Sequence, residues 1–174
     1  LIVKVASIPQ ARLQVYFIDN DEYFQKKIIL HDKNDSLAKD NDERMIFFCR
    51  GVLETLQMLG WSPDVIHCHG WFTSLLPLYL KKIYAGHNIF SRTKVLSSIY
   101  KNSFEASLNP RLIDKINFDG IEIEDLNLLQ NPTNVALSQM ATLFSDGIIL
   151  PEESDCNRSV LDLVYREGKP VLSS

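Results

Sequence analysis

What this 174-residue chain lacks narrows what it does. No apolar run approaches the roughly 18–20 residues that a membrane helix needs. No basic-then-apolar leader opens the sequence, so no membrane role is expected. Lysine and arginine nowhere form a run. Their 18 positions are outnumbered by 22 acidic ones, for a net charge of −4. Without a basic stripe there is no electrostatic footprint for nucleic acid. Cysteine is sparse: Cys49, Cys68 and Cys156 give no even disulfide framework, which points to a reducing, cytoplasmic setting. Neither a Walker phosphate loop nor a G-x-G-x-x-G turn is present, and no G-x-S-x-G nucleophile elbow occurs. The first residue is Leu1 rather than Met, so the chain reads as a fragment of a longer protein.

The apolar residues that are present alternate between strand and helix patterns. Leu1–Ile8 and Leu13–Ile18 are β-branched runs separated by Pro9 and a polar turn, which predicts a hairpin or two neighbouring strands. Asp19-Asn20-Asp21-Glu22 closes the second run as a solvated acidic turn; a Ca²⁺ loop would need a Gly and a distant Glu that are missing. Tyr23 to Asp40 is polar and aperiodic, a long surface loop with one helical turn. Asp40 and Glu43 have capping-box spacing. From there Met45, Phe48, Cys49, Val52, Leu56 and Leu59 recur at steps of three and four, one helical stripe that ends at Gly60. Arg44 and Arg50 on this helix either reach a ligand or pair with acidic neighbours at the surface.

Downstream, Val65-Ile66 opens a short buried strand. An apolar helix over Trp71–Tyr84 follows, in which Pro77 implies a kink or an interruption. Lys94–Ile99 is the next strand, parallel to the first because a helix separates them. Tyr100-Lys101-Asn102 and a polar segment come after it. Helices are predicted over Pro110–Ile116, within Gly120–Gln130, from an Asn131–Asn134 cap through Phe144, and over Ser154–Glu167. Strands are predicted at Asp146–Leu150 and Lys169–Leu172. Strands alternating with helices after a hairpin make an α/β fold with a mainly parallel sheet, read as one domain over 1–174.

The chemistry concentrates at His67-Cys68-His69-Gly70-Trp71. His67 and His69 flank Cys68 and share one strand face. The run ends at a strand carboxyl end, where open α/β sheets bind ligands. His67 continues the strand interior and is expected buried and hydrogen-bonded, while His69 is nearer the ligand. As a metal pair the two histidines lack a third and fourth ligand at a recognised spacing. As a nucleophile, Cys68 lacks a positioned base. Trp71 and Phe72 either face the cleft or belong to the core, since they open an apolar helix. From residue chemistry alone the reading stops at a polar cleft at two strand ends, with a metal or thiol enzyme still open.

Four co-linear segments carry a resemblance. Val15-Tyr-Phe-Ile-Asp-Asn-Asp-Glu-Tyr-Phe24, Asn41 to Glu54, Gly60 to Trp71 and Asn134 to Ile149 are similar, in order and spacing, to segments of bacterial glycogen synthases and plant starch synthases. The match covers roughly Leu13 to Leu150. It implies a Rossmann-like three-layer domain, the N-terminal, acceptor-side half of a two-domain (GT-B) glycosyltransferase. It also implies transfer of glucose from ADP-glucose to an α-1,4-glucan with retention of configuration and no metal or other cofactor. The implied partners are an α-glucan and a nucleotide sugar, with a partner synthase or a homo-oligomer also possible.

The departures from that family are specific. Its His-X-His-Asp-Trp-His motif is His67-Cys68-His69-Gly70-Trp71-Phe72 here, and its Thr-Ile-His-Asn strand end is Ser98-Ile99-Tyr100-Lys101. Gly70 therefore replaces an Asp that meets sugar hydroxyls, and Tyr100 replaces a His that contacts the transferred glucose. The family's Lys-X-Gly-Gly motif would precede Leu1, and its diphosphate-holding Arg and Lys belong to a C-terminal domain. The resemblance thus implies no intact catalytic set and a chain inactive alone. His69, Gly70, Trp71, Phe72, Tyr100 and Lys101 are its substrate-binding candidates. The alternative is a catalytically degenerate, glucan-binding or regulatory relative.

Overall fold

The computed structural model describes residues 1–25, 30–32, 36–101, 103–117, 120–152 and 155–173. Parts of the predicted 23–40 loop (26–29 and 33–35), Asn102, and Ser154 as a helix start lie outside them. The chain opens with the expected hairpin: β1 (Ile2–Ile8) pairs antiparallel with β2 (Leu13–Asp19), from Ile2 opposite Asp19 to Ile8 opposite Leu13. A helical turn, α1 (Asp21–Phe24), follows it; it starts within the acidic 19–22 stretch rather than inside the 23–40 loop, capped by the Asn20 side chain, which accepts from the Glu22 and Tyr23 N–H groups.

The second sheet is entirely parallel. Its strands β3 (Val65–His69), β4 (Lys94–Ser98), β5 (Gly147–Leu150) and β6 (Val171–Ser173) lie side by side in chain order. Each is reached through helix, as parallel pairing requires. Register brings Cys68, Ser97 and Ile148 into one row, and all three are buried. That row faces the helices α2 (Asn41–Met58), α3 (Leu76–Lys82), α5 (Asn134–Phe144) and α6 (Arg158–Arg166). Met45, Cys49 and Leu53 of α2, Leu75, Leu78 and Tyr79 around α3, and Leu137 and Met140 of α5 are almost wholly buried in one cluster with Val95. Ile99, Ile148 and Leu150 pack with Val160, Leu161 and Val164 of α6 in a second. Two smaller pieces complete the helical side. They are α4 (Leu112–Ile116) and a 3₁₀ segment Ile123–Gln130, which starts with a complete Glu122/Asp125 capping box.

Four expectations change. First, β3 is an edge strand among the described strands rather than an interior one, and Val65 is 51% exposed. A β-branched pair signals a pleated, half-buried surface and says nothing of how many neighbours the strand has. Second, the helix predicted over Trp71–Tyr84 is shorter, and of the two outcomes that Pro77 allowed it shows the interruption and not the kink. The chain turns through a 3₁₀ segment at Trp71–Thr73, α3 starts afresh at Leu76, and Pro77 occupies its first turn, where no amide donor is needed. Third, the Asp40/Glu43 capping box does not form. Asp40 sits at φ −100°, ψ 10°, outside the extended geometry a capping side chain uses, and makes no side-chain cap bond. The Glu43 carboxylate instead accepts from Lys115 at 2.6 Å. Fourth, the buried stripe of α2 takes in Leu53 and leaves Leu59 exposed. Gly60, at φ +61°, ends the helix as its position predicted.

Two carboxylates tie elements together. Asp146, just before β5, accepts from Lys81 Nζ of α3 and from the Val95 N–H of β4, both at 2.8 Å, while its own N–H donates to the Val95 carbonyl at 2.8 Å. Burial alone would raise its pKa, but these donors and the nearby Lys94 outweigh burial and hold the carboxyl below the usual range. Asp42 of α2 is fully buried and receives Lys115 of α4 at 2.6 Å. A buried carboxylate stripped of its cation is strongly destabilising. Lys115→Met is therefore expected to lower unfolding stability by about 3–5 kcal/mol, read as a shift in the urea midpoint. Leu53→Ala should cost about 2–5 kcal/mol through the cavity it leaves in the core; a loss under 1 kcal/mol in the same titration would mean that α2 is not docked as described.

Candidate functional site

The site is assembled by the parallel pairing of β3 with β4. His67 lies opposite Leu96 and His69 opposite Ser98, so the chain turns out of both strands at the same level. At the end of β3 the Gly70 N–H donates to the Ser98 carbonyl at 3.1 Å, continuing the ladder one step past the last histidine. Gly70 then takes φ +67°, ψ −173°, a conformation that glycine adopts freely and L side chains rarely do. The turn it permits starts the 3₁₀ segment, stabilised by Ser74 Oγ donating to the Trp71 carbonyl at 2.7 Å.

His67 and His69 share a face as expected, with ring centroids 4.0 Å apart. His67 is exposed rather than buried, because Ile66 and Cys68 take the core parity and the opposite face of this edge strand is open. It is nonetheless hydrogen-bonded, Nε2 to Ser98 Oγ at 2.8 Å. Partial desolvation, and secondarily the charge of His69, lower its pKa from the ordinary value. His69 Nδ1 meets Tyr100 Oη at 2.7 Å, with the two rings nearly parallel, 20° apart in plane.

Of the residues singled out in the sequence, Gly70, Trp71, Tyr100 and Lys101 line one small cavity at the strand ends, about 10 Å³, the room of a single water, and His69 joins them through Tyr100. Lys101 is exposed and donates to Asp155 at 3.1 Å. Phe72 is turned away. Its ring packs against Phe48 at 5.4 Å, and its carbonyl accepts from the Cys49 thiol. Trp71 is held edge-on by Phe72 and Phe104, so its indole serves the core as well as the cavity wall. Sequence reasoning passed over Ser97, Ser98, Asn134 and Ser138, which complete the polar lining. The Ser97-Ser98 pair at a strand end was the available signal. Asn134 and Ser138 share a helix face at i, i+4 spacing, visible only once α5 is known to point its first turn at this cavity.

The thiol reading finds no activated nucleophile. Cys68 is buried and its thiol is pushed up to about 12 by desolvation, the opposite of an activated nucleophile. Among the described residues no group of three His, Cys, Asp or Glu side chains is placed to hold a metal, and no helix is long and apolar enough to cross a membrane.

The lowered pKa of His67 makes a pH prediction. A ring that is harder to protonate in the folded chain than in the unfolded one costs nothing above its unfolded pKa of 6.5. Below that value the unfolded state takes up the proton first, and stability falls until the folded pKa is passed. The melting temperature should therefore drop as pH goes from about 7 to about 5, and His67→Gln should remove part of that drop. An unchanged pH slope in His67→Gln would exclude His67 as a contributor.

Comparison with known proteins agrees with this architecture. Residues 1–154 match the family model described as the starch synthase catalytic domain. Glycogen synthase of Chlorobium luteolum is 35% identical over 167 residues, covering 90% of this chain and 34% of that protein. The Chlorobaculum tepidum glycogen synthase is 36% identical over 158 residues, 84% of this chain and 31% of that protein. The glycogen synthase of Chlorobium limicola reaches 46% over 101 residues, 58% of this chain and 21% of that protein. The chain thus spans a fifth to a third of these curated relatives. Among solved structures, the catalytic domain of starch synthase IV from Arabidopsis thaliana, bound to ADP and acarbose, superposes with a TM-score of 0.72 at 16% identity, over 98% of this chain and 36% of that one. With the family model matched along most of its length and the parallel sheet superposing on that catalytic domain, the chain belongs to the starch synthase catalytic-domain family.

Proposed function

We propose that this chain is the acceptor-side part of a glucan synthase, and that the complete protein transfers glucose from ADP-glucose to the non-reducing end of an α-1,4-glucan. The observation that supports this most is the co-linear family match combined with a polar cavity at the carboxyl ends of β3 and β4, the position at which open α/β sheets bind ligands. Retaining glucosyl transfer asks for two things. A departing nucleoside diphosphate needs positive or amide stabilisation, and an oxocarbenium-like centre needs a shaped polar pocket. In this reading His69 supplies a hydrogen-bonding group for the sugar, with Tyr100 lining the site beside it. Gly70 makes the turn that carries the chain out of β3 under Tyr100, Trp71 walls the cavity, and Lys101 offers a cation beside it. Phe72 contributes by fixing Trp71. The reaction needs no metal or cofactor from this chain, and a cytoplasmic location suits its thiols. The diphosphate-holding groups are expected from a second domain, so the chain by itself is expected not to transfer glucose.

Gly70 and Tyr100 stand where the family carries Asp and His. That observation motivates the competing reading of a relative that binds glucan without turning it over. Incorporation of labelled glucose from ADP-glucose into glycogen, measured with the complete protein, separates the two. Incorporation above a no-enzyme control is expected, falling about 10²-fold in His69→Ala, the scale of one lost transition-state contact. A complete protein that binds glycogen but incorporates nothing is instead a glucan-binding relative.

A further inference from the structure

The residues at 70 and 100, taken one at a time, are two lost functional groups. In three dimensions they are neighbours. A Cβ built on Gly70 would stand 3.2 Å from Cδ2 of Tyr100 and 3.7 Å from Cε2, the first of these tighter than ordinary van der Waals contact. Gly70 also sits at φ +67°, where any side chain adds backbone strain. A side chain at 70 and the ring of Tyr100 cannot both keep these places. Across the strand pair, the hydroxyl of the same Tyr100 lies 2.7 Å from His69 Nδ1, with the tyrosine and imidazole rings nearly parallel. One aromatic side chain therefore covers the glycine with its edge and engages the histidine with its tip.

We infer that Gly70 and Tyr100 form a coupled pair, and that Tyr100 is a positioning residue that holds the His69 ring through Nδ1 and leaves Nε2 for the ligand. The hydroxyl donates: a phenol proton is more acidic than a neutral imidazole N–H, so Oη–H to Nδ1 is the stronger arrangement. The hydrogen bond at one ring nitrogen sets the state of the other. With Nδ1 accepting, the neutral ring carries its hydrogen on Nε2 and presents a donor. Among the described residues no hydrogen bond engages that nitrogen, and His69 is exposed. A donor aimed outward at a strand carboxyl end suits an oxygen-rich ligand such as a sugar hydroxyl or a glycosidic oxygen. A side chain at 70 would have to displace the Tyr100 ring by a few tenths of an ångström and take up a strained φ, which works against this bond. The site thus exchanges an acidic side chain at one position for an aligned imidazole at its neighbour. What His69 does to a substrate rests on the glucan-synthase reading; the geometry of the pair does not.

The test uses ¹⁵N-imidazole NMR on the full chain. The parent chain is expected to show His69 with an acceptor-type Nδ1 and a protonated Nε2. Tyr100→Phe keeps the ring over Gly70 but removes the hydroxyl, and should convert that signal to a tautomer mixture. Unchanged His69 nitrogen shifts in Tyr100→Phe would overturn the positioning role. The coupling is read separately. Gly70→Ala should lower the urea midpoint, and by a smaller shift when introduced into Tyr100→Ala. Equal shifts in the two backgrounds would show that the residues act independently. In the complete protein, Tyr100→Phe should reduce kcat for glucosyl transfer about 3- to 10-fold, the scale of one hydrogen bond, with the KM for ADP-glucose little changed. A parent protein without transfer activity would sink the glucan-synthase reading while leaving the imidazole result intact, so the two failures are distinguishable.

Discussion

The register of β3 against β4 is the constraint on which the rest depends. Parallel pairing sets Cys68 beside Ser97 and His69 beside Ser98. Because side chains alternate along a strand, that one choice sends Cys68 and Ser97 to the helices and both histidines to the open face. A slip of one residue would bury two imidazoles and expose the core thiol, so the apolar contacts of Cys68 and Val95 in the main cluster enforce the functional geometry. The Gly70 N–H then extends the same ladder to the Ser98 carbonyl, which places the turn, and with it the cavity, at the level of Tyr100.

Around this pair the structure is held by a few polar ties that connect elements distant in sequence. Asp146 joins α3, β4 and the entrance to β5 through two accepted bonds and one donated. Lys115 bridges Asp42 and Glu43 and so docks α4 on the first turn of α2. Of these carboxylates Asp42 is fully buried, in low-dielectric surroundings where a partner is obligatory. A local signal failed at the same place. Glu43, which has the spacing to close a capping box, meets Lys115 instead, while Asp40 has a backbone geometry that does not cap.

Positions 70 and 100 of the candidate site are neighbours in space. Read as a string, Gly70 and Tyr100 are separate departures 30 positions apart. In space a single ring covers the first and grips the histidine beside it. The thiols show the reverse: a Cys between two histidines suggests reactivity on paper, and burial in the core removes it.

Much of the architecture was legible in the residues. The hairpin, the helix from 41 to its stop at Gly60, the parallel strands and the order of elements follow from periodicity and turn residues, which act over a few neighbours. So does the expectation that His67 and His69 share a face, since alternation is a property of the strand alone. Four matters were decided only by tertiary structure. They are the edge position of β3, the exposure of His67, the turning of Phe72 into the core against Phe48, and the recruitment of Ser97, Asn134 and Ser138 to the cavity wall. Each depends on what packs against a residue from far along the chain. Local sequence sets which way a side chain points; the partner it meets there is set by the fold.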